Sequence, residues 1–394
     1  VSSEEESVRE RILLAAGRCL TENGVRDVSL QVIAREAGLA RATLYRHFPD
    51  GRDQLVNELV TFEVQRFFGE LYRSVEGLTS LEHVLERGLR FAHHAVAAHY
   101  LLQTMLRDDP SMLEPALSSS IETIEHRIAA IFVPFLEAGP RRNAQADFLS
   151  RMSIEYISTQ GRWDFDNTTQ LRHLVRDELL ASMSTSPLKI KPATVRPLRA
   201  VEDGSLRTRV VNATLEEMAS GHYDDFSLTR VMKAAGVSRA TLYRAFPGGR
   251  DALLSAAVTR ESSRFFVAVA DAMASAPTMH DSLLAGITNT WSHLTSHAAL
   301  LGVWKEKPEV ILRSLRFDEA TKTYFVASSL VQPMLSQWLE AEEAGRLAEW
   351  LCRIVVSYWT NPADYLDITD PKSIALFYAN HVAASVERLA KLSS

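Results

Sequence analysis

The chain writes one short segment twice. RATLYRHFP, Arg41–Pro49, returns 198 residues later as RATLYRAFP, Arg239–Pro247, with eight of nine letters kept. The same shift, without a gap, matches Ala37–Leu55 to Ala235–Leu253 at fourteen of nineteen positions. Ser29-Leu30 also matches Ser227-Leu228, and Arg66-Phe67-Phe68 matches Arg264-Phe265-Phe266. Beyond about Phe68 the identity fades into general helical patterning. Copies this long are not solenoid repeats; they imply two complete domains, each able to bury its own core within 394 residues.

Between the halves lies STSPLKIKPATVRPLRA, residues 184–200, with three prolines, four basic residues and no acid. Proline at this density forbids helix and favours extended chain, which at about 3 Å per residue spans roughly 50 Å. The expected layout is a first domain over 1–183, this linker, and a second domain over 201–394.

Elsewhere the pattern is helix after helix. In LQVIAREA, Leu30, Ile33, Ala34 and Ala37 fall at i, i+3, i+4 and i+7, a single buried stripe. Leu44 and Phe48 repeat the i, i+4 spacing. Long helices are predicted over about 52–75, 79–107, 119–138, 144–163 and 167–183, then 250–275, 280–303, 318–343, 346–360 and 371–391. Breakers stand where such helices should end: Asp109-Pro110, Gly139-Pro140, Pro277, Pro308 and Asn361-Pro362. Gly and Pro are scarce and no turn-bounded period-two alternation occurs, so the fold class is all-α. Cys19 and Cys352 lie far apart in apolar-periodic segments and read as reduced core thiols. The acidic start, VSSEEES, has the wrong order for a secretory signal, and no run reaches the length of a membrane span. A soluble, cytoplasmic protein is expected.

Helix, Gly38, helix is the layout of a helix-turn-helix. Ser29 is placed to cap the first helix, and Gly38 can take positive φ in the turn. On the second helix Leu44 and Phe48 point inward, while Ala42, Thr43 and Arg46 point out, flanked by Tyr45 and His47. That outward face suits a DNA major groove. Arg46 can fork onto guanine O6 and N7, Thr43 can bond a base edge or touch a thymine methyl, and Ala42 permits close approach. Tyr45, His47 and Arg52 suit phosphates. An amphipathic helix with a merely solvated charged face would fit one copy. It would not explain why Arg41, Thr43, Tyr45 and Arg46 recur as Arg239, Thr241, Tyr243 and Arg244 while most of the halves diverge. The net charge of −6 signals no global basicity, but a reader of DNA needs only a local basic patch.

IAREAGLARATLYRHFPDGRDQLV and VMKAAGVSRATLYRAFPGGRDALL both resemble the DNA-binding segment of the TetR (tetracycline repressor) family. The resemblance covers roughly residues 8–70 and 206–268; through the remaining helices it rests on length and helicity. It implies two tandem TetR-like domains, with helix-turn-helix parts over about 8–55 and 206–253. Helices over 56–183 and 254–394 would serve effector binding and dimerisation. A family member finds its second recognition helix in a second chain; this chain resembles a dimer fused into one polypeptide. The resemblance assigns double-stranded operator DNA to Ser29, Arg41, Ala42, Thr43, Tyr45, Arg46, His47 and Arg52. In the second copy it assigns Ser227, Ser238, Arg239, Ala240, Thr241, Tyr243, Arg244 and Arg250. Two departures stand out: Ala40 replaces the capping Ser found at Ser238, and Ala245 replaces the family's His, present as His47.

In the regulatory helices Phe91, Tyr100, Met105 and Phe132, with Trp291, Trp304, Tyr324 and Trp338, are candidates to line a cavity for a lipophilic effector. Aromatics at helical spacing more often form core than cavity. His293 and His297 at i, i+4, and the cluster His93, His94 and His99, have metal-ligand spacing but no completing ligand, so no metal and no cofactor is expected. No G-x-S-x-G, H-E-x-x-H, C-x-x-C, phosphate loop or dinucleotide fingerprint occurs, so no enzyme is expected. The function expected is a transcriptional regulator, most simply a repressor released from a near-palindromic operator by a small molecule. The alternative is an effector-independent or architectural DNA-binding protein whose C-terminal helices only dimerise. Further homo-dimerisation of the fused chain stays open.

Overall fold

The computed structural model describes residues 3–24, 28–103, 114–159, 161–183, 190–196, 204–220, 226–306 and 317–392. Those residues form helices and connecting turns, with no strand among them. The chain divides into two compact units, Val1–Ser158 with Trp163–Val175, and Thr159–Arg162 with Arg176–Ser394.

The first unit begins with α1 (Ser3–Asn23), α2 (Leu30–Glu36), α3 (Arg41–His47) and α4 (Arg52–Val75). Ile12, Ala16 and Cys19 of α1, Ile33 and Ala34 of α2, Leu44 of α3 with Phe48 after it, and Leu55 and Leu59 of α4 close one hydrophobic cluster. Then follow α5 (Leu81–Ala98), α6 (Glu114–Phe132), α7 (Arg142–Ser158) and α8 (Thr168–His173). After α8 the chain widens into π-type turns over Leu174–Leu180 and tightens again over Ala181–Met183.

The second unit repeats the opening with α9 (Leu206–Ala219), α10 (Leu228–Ala235), α11 (Arg239–Ala245) and α12 (Gly249–Ala274). Its cluster sets Val210, Val231, Ala235, Leu242, Phe246, Leu253 and Ala257 together. It continues through α13 (Met279–Ser296), α14 (Ala298–Glu306), α15 (Phe317–Leu335), α16 (Ala341–Thr360), α17 (Pro371–His381) and α18 (Ala383–Leu392). The shift of 198 persists where letter identity has faded: α5 and α13 correspond end for end, as α3 and α11 do.

Segments of the first half of the chain pack in the second unit through buried charge. Arg353 on α16 is fully buried; its Nη2 donates to Glu349 Oε1 (2.7 Å) and to the Thr159 carbonyl (3.2 Å). Arg162 Nε meets Glu349 Oε2 at 3.0 Å, and Arg388 Nε meets Asp177 Oδ1 at 2.5 Å.

Three expected helices divide at a single residue, and the expected helix 318–343 ends early, at Leu335. The stretch 79–107 divides at His99, 280–303 at His297, and 371–391 at Val382. Neither Gly nor Pro marks any of these breaks. At the two histidines the ring supplies the reason: the imidazole Nδ1 accepts the N–H of Leu102 or Leu300, each at 3.2 Å, so the side chain caps a new helix. Both cysteines are unpaired; Cys19 is buried, and burial pushes the Cys352 thiol up to about 12.

Candidate nucleic-acid interface

In each unit the second and third helices form the bihelical element the repeat implies. Ser29 Oγ caps α2 by accepting from the Val32 amide at 3.4 Å; Ser227 does the same for Arg230 at 3.3 Å. Gly38 (φ 66°) and Gly236 (φ 64°) take the left-handed turn that follows, where an L side chain would be strained. Leu44 and Phe48, like Leu242 and Phe246, are buried beneath the third helix. On its other side Arg41, Ala42, Tyr45 and Arg46 are exposed, with Thr43 half-buried; Arg239, Ala240, Tyr243, Arg244 and Thr241 repeat the pattern residue for residue.

The flanking tyrosines are held from within their own helix. The Arg41 guanidinium lies 5.2 Å from the centre of the Tyr45 ring and donates from Nη2 to the phenol oxygen at 3.2 Å. Arg239 lies 5.7 Å over the Tyr243 ring. Tyr243 also packs against the turn after α11. A Cβ at Gly249, where φ is 57°, would lie 3.3 Å from its ring, so close approach and backbone angle both call for glycine.

The N-termini of the two recognition helices differ. Ser238 Oγ accepts from the Thr241 amide (3.2 Å) and shares a hydrogen bond with the Thr241 hydroxyl (2.8 Å), whereas Ala40 makes no side-chain cap. The other proposed flank residues are less open. His47 is half-buried, and its Nε2 is shielded from solvent with no hydrogen-bond partner among the described residues. Arg52 is half-buried, and Arg250 stacks 5.4 Å over Phe226.

One pair that fixes this surface escaped the sequence reading. Arg9 on α1 stacks 4.8 Å over Phe48 and donates from Nη1 to the His47 carbonyl at 3.1 Å, closing the end of α3. Arg207 on α9 does the same for α11, 4.6 Å over Phe246 and 3.4 Å from the Ala245 carbonyl. Arg9 is further held by Glu58 at 2.7 Å, where the second copy has Ala256. The signal was available, since Ser7-x-Arg9-x-Arg11 recurs as Ser205-x-Arg207-x-Arg209 at the same shift.

The regulatory candidates separate. Phe132 lines a narrow apolar slot of about 30 Å³ between α4, α5, α6 and α7, while Phe91 faces an open groove of about 680 Å³ along α5. Tyr100 is 59% exposed. Trp291 is wholly buried and donates to the Val355 carbonyl at 3.0 Å; Tyr324 is buried under Arg353, 5.0 Å from its ring centre. Trp338 is half-buried. Met105 and the Trp304 side chain lie outside the described residues.

The sequence profile of bacterial regulatory proteins, tetR family, matches residues 12–59 and again 210–257. The HTH-type transcriptional regulator UidR of Escherichia coli K12 is 23% identical over 133 residues, 34% of this chain. That match spans 66% of UidR, just under two thirds of its length. An HTH-type transcriptional regulator of Mycobacterium tuberculosis is 26% identical over 181 residues, 43% of this chain and 84% of that relative. The crystal structure of the TetR family repressor AlkX from Dietzia aligns with 48% of this chain and 96% of its own, at 27% identity and a TM-score of 0.36. No described helix is long and apolar enough to cross a membrane. With the profile matched once in each half, on the residues that build each bihelical element, the chain belongs to the TetR family of bacterial regulatory proteins and carries two TetR-like domains in tandem.

Proposed function

We propose that this chain is a sequence-specific DNA-binding transcriptional regulator in which one polypeptide supplies both recognition helices. Its two domains, 1–183 and 201–394, act as a pseudo-dimer joined by 184–200. The observation that carries the reading is the repeated outward face. Arg41, Thr43, Tyr45 and Arg46 recur with the same burial as Arg239, Thr241, Tyr243 and Arg244, on helices whose buried sides already account for folding. Arg46 and Arg244 are the base-reading forks, and the two tyrosines meet phosphate. Covalent linkage makes engagement of the second half-site an intramolecular event at effective concentrations of roughly millimolar.

Regulation on this reading is a repressor's release by a small lipophilic ligand, for which the apolar slot of the first unit would have to open. That slot is walled by Phe67, Leu71, Leu89, Ile131 and Phe132, and Gly88 leaves room against Val75. At the same register of the second unit Met273 replaces Val75, its sulfur 3.0 Å from where a Cβ on Gly286 would stand. Asn289, in the place of Phe91, is wholly buried and binds chain instead. Its amide accepts the Arg196 N–H (2.7 Å) and donates to the Thr194 carbonyl (3.2 Å), tying linker to α13. The small volume of the slot favours the second reading, an effector-independent regulator.

Selection of bound sequences from random DNA tests the proposal, repeated with Arg46→Ala and Arg244→Ala and in the presence of a hydrophobic dye. We expect a near-palindrome, loss of about 1–3 kcal/mol of discrimination at one half-site per variant, and displacement by the dye. Unchanged selectivity in both variants removes the base-reading assignment; indifference to the dye leaves the effector-independent regulator.

A further inference from the structure

The two histidines that break the long helices do more than cap. His99 Nδ1 accepts from the Leu102 amide, so the ring is the tautomer with its proton on Nε2, and Nε2 stands 3.3 Å from Glu63 Oε2 on α4. Glu63 in turn takes Arg66 Nη1 at 3.1 Å. In the second unit His297 Nε2 stands 3.2 Å from Glu261 Oε2 on α12, with Arg264 Nη1 at 2.8 Å from Oε1 and Arg260 Nε at 3.3 Å. All three members of the chain Arg–Glu–His are related by the shift of 198, the histidine in a region where the two copies otherwise share little. Identical geometry kept on two diverged backbones argues for selection on the arrangement itself.

Its position gives it work. α4 and α12 leave the DNA-binding parts and run into the regulatory helices, so a carboxylate midway along them is fixed to both. The segment each histidine caps touches the DNA-binding part from the other side. Leu101, two residues past His99, is buried in the cluster of α1 to α4. In the second unit α14 packs on α9 so closely that a Cβ at Gly302 would lie 2.6 Å from the Met218 carbonyl oxygen. There Arg260 also reaches the Thr208 carbonyl on α9 at 3.5 Å. Glutamate, imidazole and capped helix thus form a short strut between the helix leaving each DNA-binding part and the helix leaning on it.

We propose that Glu63–His99 and Glu261–His297 are positioning pairs that hold each recognition helix at its working angle, and through which a change in the regulatory helices is passed to DNA. The inference rests on the DNA-binding reading for its purpose but not for its geometry. Two histidine variants separate the strut from the cap. Asparagine in place of His99 or His297 keeps a side-chain acceptor for the helix N-terminus but cannot also reach the carboxylate, whereas alanine loses both.

Hydrogen exchange on the free protein is read first, for His99→Asn, His297→Asn and Glu63→Ala. Faster exchange throughout α1–α3 in the first-unit variants and α9–α11 in His297→Asn is expected. Faster exchange confined to the capped turn, 99–103 or 297–301, overturns the proposal. Affinity for the DNA that the unaltered protein selects is read second. About tenfold weaker binding with unchanged base preference and salt slope is expected from each Asn variant, and full affinity overturns the proposal. If the unaltered protein selects no DNA, the DNA-binding reading fails while the exchange measurement still decides the strut.

Discussion

Ser238 Oγ stands 3.2 Å from the Thr241 amide, and Ala40 has no atom to offer Thr43 in its place. An unmet amide at a helix start costs about 1 kcal/mol, so Ala40→Ser should stabilise the first unit and Ser238→Ala destabilise the second by that amount. Urea unfolding of the two variants measures it, and equal midpoints would mean that water caps both helices equally well. Glu261 sets a second prediction. Burial works upward on its carboxyl, but hydrogen bonds from His297 and Arg264, with the charge of Arg264, outweigh it and draw it down to about 2. A carboxylate lowered on folding stabilises above its unfolded value, near 4.5, and that stability is lost as pH falls toward 2. Glu261→Gln should therefore be less stable than the parent at neutral pH, with the gap closing between about pH 4.5 and 2. A gap as wide at pH 2 as at pH 7 would show that the pair contributes nothing through ionisation.

At the scale of elements, legibility follows the range of the interactions. α4 runs where the apolar periodicity puts it, and α2, the glycine turn and α3 could be read because their caps, stripe and turn lie within a few residues of one another. The repeat is what argues for a binding face over a solvated one, which one copy could not do. The breaks at His99 and His297 were hidden because the ring's second partner lies 36 residues away, and no Gly or Pro announces the turn. Asn289 likewise looks like an ordinary polar residue of a helix until the linker is seen bonded to it from 93 residues off. The aromatics stayed ambiguous for a related reason. Trp291 has the size of a cavity wall, yet its indole N–H is spent on a buried carbonyl, a core contact that spacing alone cannot reveal. Arg9 and Arg207 were within reach of the sequence, since an arginine kept at the same shift beside a kept recognition helix is a candidate to hold it.

For the whole molecule, the fully buried Arg353 offers a way to ask whether the two units unfold together. Its guanidinium is compensated by Glu349, by Thr159 and by the face of Tyr324, all within the second unit, and Glu349 also holds Arg162. Arg353→Ala leaves Glu349 buried with only the half-exposed Arg162 against it, and loss of one partner from a buried pair costs about 3–5 kcal/mol. Five of the six tryptophans lie beyond residue 200, so tryptophan fluorescence reports chiefly on the second unit, and hydrogen exchange in α1–α5 reports on the first. If the units are independent, the variant's fluorescence-detected stability falls by that amount while exchange in α1–α5 stays as it was. The proposed fused dimer would have reason to behave otherwise, because a ligand bound in one half would affect the other recognition helix only if the halves share cooperativity. Exchange in α1–α5 that rises in step with the fluorescence loss would therefore mark the coupling that release from a two-half-site operator needs, and independence would confine regulation to the half-site beside the ligand.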